Sequence, residues 1–131
     1  MSDYLENEIL DHILRNEDYV NVATMYVALF DTSASLANLE AGTLTGEISG
    51  NAYARQSCAF DVAAAGATAN TADCTFPTAS GGNWGTVRFV AIMDADTLGN
   101  VLFFGQLTAD KVVNDGDTFK FNAGDLDVTL D

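Results

Sequence analysis

The chain has 131 residues, 48% of them hydrophobic, with 19 acids against 5 bases and a formal net charge of −14. Such a length supports one hydrophobic core, and the apolar content excludes a disordered chain. The charge disfavours close contact with nucleic acid or an anionic membrane, which would repel it, and leaves a basic protein partner, cations or plain solubility as its uses.

In chain order, the first element is a helix over residues 2–17. Leu5, Ile9, Leu10, Ile13 and Leu14 cover an arc of roughly 180° at helical spacing, with Tyr4, Glu8, Asp11 and Arg15 opposite. Ser2 or Asp3 can cap the start, and Glu6 favours the positive end of the helix dipole. A helix lying on one surface needs a stripe of only about 100°, so the wide arc predicts contact on two sides, the protein's own body and a neighbouring chain.

VATMYVALF (22–30) reads as a strand covered on both faces. The Ser-, Thr- and Gly-rich stretch 31–51 reads as a long loop and a candidate contact arm, with a brief helical turn at Leu36 and Leu39. AYARQSCAFDV (52–62) and TADCTFPTA (71–79) read as strands joined by a small-residue bend, the second stopped by Pro77. A hairpin centred near Gly66 would set Cys58 opposite Cys74, although cytoplasmic conditions favour two small buried thiols over a disulfide.

SGGNWG carries Trp84 in a flexible turn. TVRFVAIMD and NVLFFGQL form a hairpin around ADTLG. DTFKFN alternates Phe119 and Phe121 inward, and DLDVTLD alternates Leu126, Val128 and Leu130 inward. The result is a single domain over 1–131: a helix at 2–17, then a β-body over 22–131. The predicted class is mainly β, an antiparallel β-sandwich of jelly-roll or Ig-like type with about seven strands.

Chemistry-bearing patterns are sparse, and no catalytic residue is assigned. His12 is the only histidine and has no nucleophile or orienting acid placed beside it. The carboxylate pairs Asp94/Asp96, Asp115/Asp117 and Asp125/Asp127 sit where turns and solvent-facing strand positions are expected, not across a sugar-sized cleft. No cofactor motif is present. Calcium is the one ligand that the oxygens of NDGD (114–117) and DADTLGN (94–100) would suit, although neither is an EF-hand loop. Trp84 with Tyr53 could stack on a sugar, but a core or interface aromatic is the commoner use. The N-terminus lacks the basic start and apolar run of a signal peptide, and no stretch approaches the ~20 apolar residues of a membrane span. Synthesis in a host cytoplasm, with no membrane and no nucleic-acid partner, is therefore expected.

The order SDYLENEILDHILRN, MYVALF (25–30), GEISGNAYARQSCAF (46–60), TFPTASGGNWGTVRFVAIMDADTLGNVLFFGQL (75–107) and VVNDGDTFKFNAGDLDVTL (112–130) resembles a family of small virion structural proteins of tailed bacteriophages, cyanophages included. Its members are described as structural, tail-fibre-like or capsid-decorating. The resemblance implies a non-enzymatic virion protein. The expected role is a capsid cement that binds the outer shell face and bridges major capsid subunits as a homo-oligomer. The alternative is a tail or fibre component with a receptor- or glycan-binding role. ASLANLEA (34–41) departs from the shorter Thr/Gly-rich loops of that family. Leu5, Ile9 and Ile13 on the helix, Leu36 and Leu39 in the loop, and Trp84 are the candidate interface residues.

Overall fold

The computed structural model describes residues 1–20 and 22–130. Helix α1 spans Asp3–Arg15 and is followed by strand β1, Met25–Asp31. Helix α2 is Leu36–Glu40. Then come β2 (Gln56–Cys58), β3 (Ala67–Ala69), β4 (Cys74–Thr75), β5 (Gly85–Met93), β6 (Val101–Val113), β7 (Lys120–Phe121) and β8 (Asp127–Thr129). All pairings are antiparallel, so the chain is mainly β with a leading helix, as the sequence predicts.

One four-stranded sheet, ordered β2-β1-β5-β6, forms the body. Its inner strand β1 is buried on both faces, which explains its unbroken apolar run. Val27 and Leu29 point to one side, Ala28 and Phe30 to the other. The first side is covered by two short ladders, β4 with β7 and β3 with β8. Phe76, Trp84, Phe119, Phe121 and Leu126 fill the space between these layers. The second layer is thus two ladders and not one continuous sheet. The two ladders are separated at 70–73 and 122–126, where the Gly124 N–H donates to Asn70 O and the Asn70 amide to Asn122 O, while Pro77 interrupts the far end of β4–β7 between the Phe76 N–H to Phe119 O and Ala79 N–H to Asp117 O bonds.

The other side of the sheet is covered by the 31–51 segment. The long loop read from the sequence as a candidate contact arm thus lies along the protein's own sheet. Asp31 N–H donates to Gly46 O at 2.8 Å and Ile48 N–H to Leu29 O at 2.9 Å, so the segment returns along β1. Gly46 sits at φ +83°, and an added Cβ would lie 2.7 Å from Ser33 Oγ. Only glycine fits that return. The brief helical turn exists as α2, capped by the Ser35 hydroxyl, which accepts from Asn38 N–H. It packs against β6 and drives Leu39 fully into the core.

Three further boundaries differ from the sequence reading. Strand β6 runs on to Val113, because Val112 and Val113 pair with Thr86 and Gly85 across a register shift that the alternation pattern hides. Strand β3 lies inside the predicted small-residue bend. The predicted 71–79 strand is reduced to Cys74–Thr75. The hairpin there turns at Ala65 and Gly66, both at positive φ, with Ala64 N–H donating to Ala67 O.

Ala65 (φ 51°) and Ala52 (φ 67°) are exposed turn residues in the left-handed region, which costs a residue with a Cβ about 1–2 kcal/mol. Replacing either by glycine is therefore expected to raise stability, by up to about 1 kcal/mol after the added freedom of the unfolded chain is counted. Denaturant midpoints of Ala52→Gly and Ala65→Gly, compared with the parent, check this.

Candidate functional site

Helix α1 is fastened to the sheet at one end only. Ser2 is fully buried, its N–H donates to Leu102 O at 3.0 Å, and its hydroxyl donates to Val101 O. The same hydroxyl oxygen accepts from Leu5 N–H at 3.2 Å, so one side chain both caps the helix and ties it to β6. The far end closes with Asn16 in the left-handed conformation, and His12 Nδ1 lies 2.9 Å from Glu17 O.

The apolar arc divides accordingly. Leu5 is buried and Ile9 half-buried, but Leu10, Ile13 and Leu14 are 53%, 70% and 75% exposed. Beneath the arc lies a groove of about 620 Å³ between α1, the 60–68 hairpin and the sheet. Leu5, Ile9 and Ile13 form one wall, Phe60, Val128 and Leu130 another, and Ile92 and Leu102 the floor. A second depression, about 960 Å³, lies between β6 and the 117–129 segment and mixes Phe103 and Leu107 with Lys111, Asp117 and Lys120.

The predicted site residues fall into two groups. Ile9 and Ile13 reach the groove, and Leu36 is exposed on α2. Leu5 shows only at the inner wall of the groove, while Leu39 and Trp84 offer no free surface, and the place of these last two in the interface set is corrected. Leu5 and Leu39 are buried by the protein's own sheet and loop. Trp84 is 7% exposed, donates its indole N–H to Asn51 O, and meets Tyr53 edge-on at 5.4 Å. The Trp84 and Tyr53 rings therefore pack on each other and not on a sugar. Phe60, Leu102 and Val128 in the groove were not singled out from the sequence. They reach the far wall and the floor only through pairings distant in the chain.

The turn acids serve turns. Asp94 accepts from Asn100 N–H and its amide, Asp117 from Asn114 N–H, and Asp125 from Asn122 N–H. Among the described residues no group of three or more His, Cys, Asp or Glu side chains is arranged to hold a metal.

Glu47 and Arg55 form the most enclosed ion pair among the described residues. Arg55 Nε donates to Glu47 Oε1 at 2.6 Å and Nη2 to Oε2 at 2.7 Å, while Nη1 donates to Ala95 O and Leu98 O. The Tyr53 hydroxyl donates to Glu47 and accepts from Leu29 N–H. This node locks the 46–55 segment to the 94–100 turn, whose Asp94 stands near Tyr19 at the groove.

Cys58 and Cys74 are free thiols, the first half-buried and the second buried. Burial pushes Cys74 from an ordinary 9.0 up to about 12. Burial also raises the Tyr53 hydroxyl above its ordinary 10.0. Between 9.0 and about 12 the unfolded chain has released the Cys74 proton and the folded chain has not. Stability is expected to be unaffected by this group below pH 9.0 and to fall as pH rises toward 12, with Tyr53 adding to the loss above 10.0. Denaturant midpoints against pH check it, and Cys74→Ala is expected to flatten the first part of the fall.

The chain is a small acidic β-body that buries its aromatics internally and leaves one helix face open. Residues 1–129 match the family described as Podophage GP4 fiber I protein gp80, and the chain belongs to that family of phage virion proteins. Comparison with curated proteins finds no match. No helix among the described residues is long and apolar enough to cross a membrane.

Proposed function

We propose that the chain is a non-catalytic structural subunit of the podophage fibre, held to neighbouring virion proteins through the exposed face of α1. The observation that carries this reading is the exposure of Leu10, Ile13 and Leu14 beside an apolar groove, on a helix that Ser2 anchors rigidly at its other end. Contiguous exposed apolar surface on a soluble protein marks a contact site, because leaving it in water forfeits its burial energy. The description of the family as a fibre protein is what supports the tail location. Cement would require the chain to bridge major capsid subunits on the outer shell, a place that its acidic charge would also suit by avoiding packaged DNA.

Purified particles separated into tails and shells test the reading. The chain is expected in the tail fraction. Recovery with tail-free shells, and restoration of shell stability on re-addition, would establish the cement role instead.

A further inference from the structure

We infer that Cys58 and Cys74 close into an intramolecular disulfide once the particle has left the host cytoplasm, and that the bond fastens the edge of the sheet to the layer above it. A phage virion protein is made in a reducing cytoplasm and works outside it, so its thiols meet both conditions wherever in the particle it sits. The two thiols come from opposite layers. Cys58 ends β2, the edge of the four-stranded sheet, where it pairs with Met25. Directly paired residues share a face, and Met25 lies on the same side of β1 as Val27, so Cys58 points toward the second layer. Cys74 begins β4 in that layer, is 2% exposed and pairs with Phe121, itself buried in the core between the layers. Cys58 packs on that same core.

The backbone joins the two segments just beside the thiols: the Thr71 N–H donates to Ala59 O and the Asp61 N–H to Ala69 O, both at 3.0 Å. A disulfide needs adjacent backbones with Cβ atoms turned toward each other, and the facing strands supply both. After burial, Cys58 is what pushes the Cys74 thiol up, so the two sulfurs act on each other at short range. Their unequal exposure orders the chemistry. Cys58 is within reach of a small reagent, and Cys74 is shielded. The oxidant is a low-molecular-weight disulfide. The Cys58 thiolate attacks it, one reagent sulfur bonds to Cys58 Sγ, and the other leaves as a thiolate. That thiolate takes the Cys74 proton, and Cys74 Sγ then attacks Cys58 Sγ and expels the second small thiol. The reagent's disulfide is reduced to two thiols and the two cysteines are oxidised, each losing one hydrogen. Burial keeps both thiols protonated, so the exchange is slow and the chain folds first. The second layer consists of two short ladders, and a covalent tie to the sheet is worth most there.

The reduced full chain, incubated with glutathione disulfide, quenched with iodoacetamide and weighed intact, tests this. The parent is expected to be lighter by two hydrogens, with no alkylation and no retained glutathione. Cys74→Ala is expected to stop with one glutathione on Cys58. Cys58→Ser, at the half-buried position, is expected to leave Cys74 unreacted. Oxidation of the parent is expected to lower its unfolding equilibrium constant about a hundredfold, read as a rise in denaturant midpoint that a reductant reverses. The same alkylation applied to infected cells before lysis and to released particles is expected to find thiols in the first and the disulfide in the second. A parent that keeps glutathione on Cys58, links to a second chain, stays fully alkylated, shows no change in midpoint, or carries free thiols in released particles would overturn the inference.

Discussion

Arg55→Ala is expected to cost about 3–5 kcal/mol, enough to unfold a marginal domain. The Arg55 side chain is 2% exposed, and that of Glu47 is 19%. Removing the guanidinium strands a carboxylate in a site with little water. It also leaves Ala95 O and Leu98 O without their donor. The cost comes from that stranded charge more than from the worth of the pair, so removing both partners is expected to be milder. Arg55→Met with Glu47→Leu should recover most of the loss. Denaturant unfolding of the two single variants and the double variant checks the ordering. Equal destabilisation by the single and double variants would contradict it. The node also holds the 94–100 turn, so the single variant is expected to loosen that turn.

Phe76→Ala is the second large effect, about 3–5 kcal/mol. Phe76 is 2% exposed at the centre of the aromatic cluster: Tyr53 stacks on it at 6.1 Å, and Trp84 and Phe119 meet it edge-on at 6.4 and 5.8 Å. Truncation removes contacts to three rings that are fixed by separate backbone elements and cannot close the space together. A loss below about 1 kcal/mol would mean that the two short ladders can settle onto the sheet. A paired comparison on α2 probes the corrected part of the interface set. Leu39→Ala is expected to cost about 2–5 kcal/mol in the isolated protein, and Leu36→Ala, at an exposed position, close to nothing.

The sequence displayed what is local and periodic. The start of α1 at Ser2, the two-faced burial of β1 and the inward Phe119 and Phe121 all follow from spacing and cap chemistry. What it hid depends on partners distant in the chain. Leu36 and Leu39 look alike in a polar stretch, and only the return of 46–48 along β1 decides that Leu39 faces the core. Trp84 lies in a glycine-rich turn that reads as exposed, yet its backbone N–H donates to Val113 O, and the core closes over the ring. The groove is legible by half. The helix wall shows in the 3.6-residue pattern, while Phe60, Leu102 and Val128 converge only through the fold.

The most direct measurement of whether this chain works by binding a different virion protein through α1 is a photo-cross-link from a benzophenone amino acid placed at position 13 in intact particles. The account predicts a cross-link to a non-identical virion protein. A cross-link only to another copy of this chain, or none in particles that contain it, would contradict the account.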